Sequence, residues 1–143
     1  MVFFAAAGTT LALDQLSKAL ILRWLSPEIS VPVLGDWIRL SLTHNTGSAF
    51  GLIGSPWLAA AIGGLVSAAV LVFALRQGLC GGLRFPLPLG LIFGGSLGNL
   101  VDRARTRGVT DFIDFRVWPV FNVADVALTA GVVLLAIHLI RSR

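Results

Sequence analysis

The chain has 143 residues, 56% of them hydrophobic and only 13% charged, with a mean hydropathy of +0.88. A soluble domain carries about 25% charged residues, so the composition excludes an ordinary water-soluble globule and describes a membrane protein of one domain, residues 1–143. The net charge of +4 rests on ten arginines and a single lysine; scattered at segment ends, they suit membrane lipid headgroups and argue against a nucleic acid partner.

Residues 2–22 form the first of four segments that meet or approach the roughly 20 apolar residues of a spanning helix. The others are 56–75, 86–101 and 121–140. The first lacks the basic start and small, neutral cleavage region of a secretory leader, and is read as a retained helix. It carries Asp14 and Lys18 at i, i+4, where opposite charges meet on one helix face. A buried structural pair and a substrate-contacting pair both fit that spacing.

The loop 23–55 contains residues 37–43, which alternate apolar and polar and read as a half-buried strand. A turn at Asn45-Thr46-Gly47 follows. The second span, 56–75, has no acid. Cys80 lies in a Gly-rich turn without a nearby histidine and, as the sole cysteine, closes no internal disulfide. His44 and His138 lack metal-ligand spacing, and zinc and serine-hydrolase motifs are missing, so neither metal nor cofactor is expected.

The third span is short and rich in glycine, which permits close helix approach. Asn99, Asp102 and Arg103 close it. Asp111 and Asp114 lie in the next loop, in a stretch (111–115) that pairs with the 37–43 strand or forms a short interfacial element. Asn122 and Asp125 open the fourth span. With four spans, Asp14, Lys18, Asn45, Asn99, Asp102, Arg103, Asp111, Asp114, Asn122 and Asp125 converge on one membrane face. A charge near the bilayer centre costs about 2.5–3.5 kcal/mol by insertion scales, so this clustering points to chemistry.

Two carboxylates sharing a site hold one proton between them and can act as general base and general acid. Asp125, in an apolar helix, is the first choice for one member; Asp111, Asp114 and Asp102 compete for the other. Asp102, flanked by Arg103 and Asn99, also reads as a structural ion pair or helix-end organiser. A proton-coupled transporter or channel subunit is the rival reading, but its polar groups should cross the slab. A purely structural subunit would not need so many Asp and Asn together.

Five motifs in order resemble the lipoprotein signal peptidase (signal peptidase II) family of intramembrane aspartic proteases. They are Asp14-Gln15-Leu16-Ser17-Lys18; Asn45-Thr46-Gly47-Ser48-Ala49-Phe50-Gly51; the run from Gly94 through Gly98 and Asn99 to Asp102-Arg103; Val109-Thr110-Asp111-Phe112-Ile113-Asp114-Phe115; and Phe121-Asn122-Val123-Ala124-Asp125. The resemblance implies Asp111 and Asp125 as the catalytic pair. It makes Asp14, Lys18, Asn45, Asn99, Arg103 and Asn122 supporting or substrate-binding residues, with Asp102 and Gly98 structural nearby.

It implies a membrane all-α fold of four transmembrane helices, with a small β-cradle and an interfacial element on the outer face. It implies a monomer in the bacterial cytoplasmic membrane that cuts lipid-modified prolipoproteins just before the diacylglyceryl cysteine. Both termini would be cytoplasmic, whereas six arginines on the polar face against four opposite would, by the positive-inside rule, place that face inside; the resemblance is followed. One departure stands out: the 111–125 stretch, with its tight Arg116-Val117-Trp118-Pro119 bridge, is several residues shorter than is usual in the family.

Overall fold

The computed structural model describes residues 1–46, 55–79 and 85–141. Most of the turn and motif after Asn45 (residues 47–51) and Cys80 lie outside the described residues. Among the described residues there are four helices, α1 (Val2–Trp24), α2 (Pro56–Leu79), α3 (Pro86–Thr106) and α4 (Val123–Arg141), and a small sheet of β1 (Ser30–Leu34), β2 (Ile38–Asn45) and β3 (Val109–Asp114), which meets α1 and α3 through β3. The protein is mostly helical with one three-stranded antiparallel sheet, in the order β1-β2-β3.

α3 is the central element and packs on α1, α2 and α4. Its glycines set those distances. A Cβ on Gly90 or Gly94 would lie 2.6 Å from the carbonyl oxygens of Phe3 and Ala7, and one on Gly95 would lie 2.5 Å from that of Ala124. Backbone therefore meets backbone across both interfaces, the close approach that small residues permit between membrane helices.

Helix boundaries correct the sequence reading. α3 runs to Thr106 rather than 101, because Asp102 turns inward to partners and Arg103 and Arg105 suit the last turn; Arg107, left-handed at φ 61°, ends it. α4 starts at Val123 rather than 121, since Phe121 is held as a bridge partner of Ile113 and Asn122 caps the helix. β2 and β3 pair in the first of the two arrangements left open for residues 111–115. β1, which the sequence reading did not identify, is the edge strand; Pro32 is tolerated there because an edge needs fewer N–H donors.

Polarity is inverted relative to a soluble domain. The largest fully buried side chains are Asn122 and Asp14, while Trp57, Leu65, Phe73, Val132 and Ile140 face outward. Two helices, over Trp57–Gly78 and Val123–Arg141, are long and apolar enough to cross a membrane. α1 and α3 carry the buried charges and fall outside that description.

Candidate active site

The site is assembled where α1, α3, β3 and the start of α4 meet. β3 runs antiparallel to β2 with Asn45 opposite Val109. Asp111, two residues further along, lies on the same face, so the Asn45 Nδ2 reaches its Oδ2 at 3.0 Å. Asp114, an odd number of residues away, turns to the other face. It accepts from Ser41 Oγ at 2.9 Å and from the Arg116 N–H at 2.7 Å, a turn-stabilising arrangement away from Asp111.

The chain returns at once: Phe121 exchanges backbone hydrogen bonds with Ile113 at 2.8 and 3.0 Å. That bridge sets Asn122 beside Asp111, and its Nδ2 donates to Asp111 Oδ1 at 2.6 Å. The same residue starts α4. Asn122 Oδ1 accepts from the Asp125 N–H at 3.0 Å, and Asp125 Oδ2 accepts from the Asn122 N–H at 3.3 Å. This is the reciprocal capping box, with Asp in place of the usual Glu. Asp125 therefore sits at the third helical position, in the positive field of the helix N-terminus, a favourable place for an anion.

Asn99 on α3 completes the link. Its Oδ1 accepts from Lys18 Nζ at 3.2 Å and Asn122 Nδ2 at 3.1 Å, which dictates that its own amide N–H faces Asp125 Oδ1, at 2.8 Å. Each oxygen of Asp111 and Asp125 thus meets an N–H donor, and one amide, that of Asn122, contacts both residues.

Beneath these acids lies a charged network. Lys18 is 3% exposed, and its Nζ lies 2.8 Å from Asp14 Oδ2 and 2.9 Å from Asp102 Oδ2. Asp14 is fully buried, its Oδ1 accepting from the Ala124 N–H of α4 at 3.0 Å. Asp102 also accepts from the Thr110 N–H at 3.1 Å, which ties the end of α3 to β3. Asp102 thus serves as an ion pair with Lys18 and a positioner of β3; no ion pair with the adjacent Arg103 is seen. Gly98 leaves the room Asp14 occupies: a Cβ there would lie 2.5 Å from Asp14 Oδ2. Removing one member of a buried pair costs about 3–5 kcal/mol, because the other charge stays buried.

The structure brings together Asp14, Lys18, Asn45, Gly98, Asn99, Asp102, Asp111, Asn122 and Asp125. Arg103 borders the group: its terminal nitrogen donates to the Asn99 carbonyl at 3.4 Å, while its buried Nε has no acceptor among the described residues. Sequence reasoning missed Gln15, whose Nε2 donates to Asp14, Asp102 and the Gly98 carbonyl. An uncharged amide in an apolar helix needs partners as an acid does, and that signal was present.

Asp111 is 2% exposed. Burial, and secondarily the neighbouring Asp125 charge, push its carboxyl up to about 6 against the opposing hydrogen bonds from Asn45 and Asn122. At neutral pH and below, it therefore holds a proton far more readily than an exposed aspartate. A titrating carboxyl tied through one residue, Asn122, to a second carboxylate is equipped for water activation and proton return. No group of three or more potential metal ligands occurs among the described residues.

Residues 6–141 match the family model described as signal peptidase (SPase) II. The lipoprotein signal peptidase of Moorella thermoacetica is 42% identical, over 98% of this chain and 93% of its own length. That of Halothermothrix orenii is 38% identical, over 89% and 87%. Two solved structures of bacterial membrane enzymes superpose with TM-scores of 0.87, at 28% and 27% identity, covering 97% and 99% of this chain and 87% and 94% of theirs.

Proposed function

The chain belongs to the signal peptidase II family, and from that membership we propose that Asp111 and Asp125 are its catalytic pair. It is a membrane-embedded peptidase that removes the signal peptide from prolipoproteins. The observation that carries the dyad is Asn122, whose side-chain amide donates to Asp111 Oδ1 and whose backbone N–H donates to Asp125 Oδ2.

In the proposed reaction Asp111 enters protonated and Asp125 ionised. Asp125 takes a proton from water as the oxygen attacks the scissile carbonyl carbon, and Asp111 gives its proton to the carbonyl oxygen. The tetrahedral diol then collapses: Asp111 recovers the proton, Asp125 protonates the departing amine, and the starting state returns. The bond cut lies just before the diacylglyceryl cysteine. Asp14, Lys18, Asn45, Asn99 and Asn122 hold the acids in register, and Arg103, whose buried Nε–H has no acceptor among the described residues, meets the substrate backbone.

All four helices span the bilayer in this reading, with both termini cytoplasmic and the sheet and acids toward the outer face. The chain acts as a monomer without a cofactor in the bacterial cytoplasmic membrane.

The test is cleavage of a lipidated prolipoprotein by purified protein in lipid micelles. Asp111→Asn and Asp125→Asn should each lose about 10²–10⁴-fold in kcat, the range of general acid–base catalysis, while melting as one folded species. Wild-type turnover by either variant overturns the dyad.

A further inference from the structure

On the outer flank of α4 a groove of about 560 Å³ runs from Asp125 past Val126, Thr129 and Ala130 to Val133, under Phe115, Trp118 and Phe121. The roof is built by the short connection between the two acids. The Phe121 bridge to Ile113 pins one end, Arg116 turns the chain at a left-handed φ of 65°, and the Phe115 and Phe121 rings meet edge to face at 5.2 Å. The buried polar network does not use this groove. A second cleft of similar volume, among Met1, Phe3, Ala74 and Pro86, is lined by none of the site residues.

We propose that the α4 groove seats one acyl chain of the substrate's diacylglyceryl cysteine, so that the aromatic roof sets where the lipid stops relative to Asp125. The inference rests on the prolipoprotein reading above. Its support is the chemistry of the lining. With Asp125 at the mouth, the other described lining residues offer polar side-chain groups only at Thr129 and the indole N–H of Trp118. An extended peptide would bring an N–H and a C=O at every residue, with almost nothing to meet them.

A methylene chain has no polar atoms to satisfy and a slender section. It is also in the right place: the lipid hangs from the residue directly after the cut bond, so it must leave the reacting carbonyl beside the acids, where the groove begins.

The alternative location for that chain is bilayer hydrocarbon of the same polarity, so the groove adds little affinity. It contributes orientation of the carbonyl against the dyad, and damage to it reads in kcat more than in KM.

The experiment measures kcat and KM for dipalmitoyl and dibutyryl forms of one prolipoprotein peptide. The proteins are wild type, Ala130→Leu, Val133→Trp and, on the exposed flank of α2, Leu65→Trp. The expected result is a fall of about tenfold or more in the long-to-short kcat ratio for Ala130→Leu, with KM within about twofold. The fall should be smaller for Val133→Trp, and the Leu65→Trp ratio unchanged. Ratios at the wild-type value in both groove variants overturn the proposal and leave the groove to bulk lipid, with the peptidase reading intact. Failure of the wild type to cut either peptide overturns the peptidase reading and the groove with it.

Discussion

At the scale of single residues, Asn122 combines two demands that are usually met separately. Its carbonyl oxygen starts a helix by accepting the Asp125 N–H, and its amide nitrogen donates to Asp111. Asp111 itself carries the pH dependence. Burial raises its carboxyl to about 6 from the ordinary aspartate value of about 4, so the folded state binds more protons than the unfolded chain in that window. This group's contribution to stability is fully present below about 4 and is lost as pH rises through 6. Activity follows the same proton: kcat/KM should fall about tenfold per pH unit above about 6, and a flat profile between pH 6 and 9 would contradict Asp111 as the acid. The different surroundings of Asp111 and Asp114, on which the proposed choice between them leans, were not legible from spacing, because the alternation that separates them appears only once the strand and its register are known. Asp102 reads as an ion-paired organiser of the helix end and is one, but its partner Lys18 is remote in sequence and could not be named from the local pattern.

At the scale of elements, the i, i+4 pair in α1, the alternating β2 and the glycines of α3 could all be read in advance, since each is a local pattern. β1 could not, because an exposed edge strand carrying Pro32 has no clean alternation. The ends of α3 and α4 moved because tertiary partners, Thr110 for Asp102 and Ile113 for Phe121, decide where the helices stop and start. The α1–α3 contact makes a direct prediction. Gly94→Val places a methyl group against the Ala7 backbone, which has nowhere to go, and should cost about 1–3 kcal/mol, seen as a lower Tm in detergent. Gly64→Ala, with nothing within 4 Å of the added carbon, is the control and should melt near wild type. Equal Tm values for both would show that α1 and α3 are not in this contact in the membrane.

At the scale of the whole molecule, the fold is a polar interior in an apolar coat, and topology decides which solvent the acids face. With Cys80 replaced by Ser, a cysteine introduced at Glu28 should react with a membrane-impermeant maleimide added to intact cells, and one at Arg76 should not. Both positions are exposed. The reverse pattern would turn the site to the cytoplasm, as the arginine distribution alone suggested.

The pairing of Asp14 with Lys18 inside one helix also bears on how the protein is made. α1 leaves the ribosome before α3 exists, so at that moment neither Asp102 nor Asn99 is there to meet the lysine. Because the two opposite charges already lie 2.8 Å apart on the same helix, α1, in the four-span arrangement proposed above, enters the lipid carrying its own counter-ion. Lys18 then exchanges a self-sufficient contact for a shared one when α3 arrives. The charges that organise the mature site are thus arranged so that the nascent chain never has to place a lone ion in the bilayer.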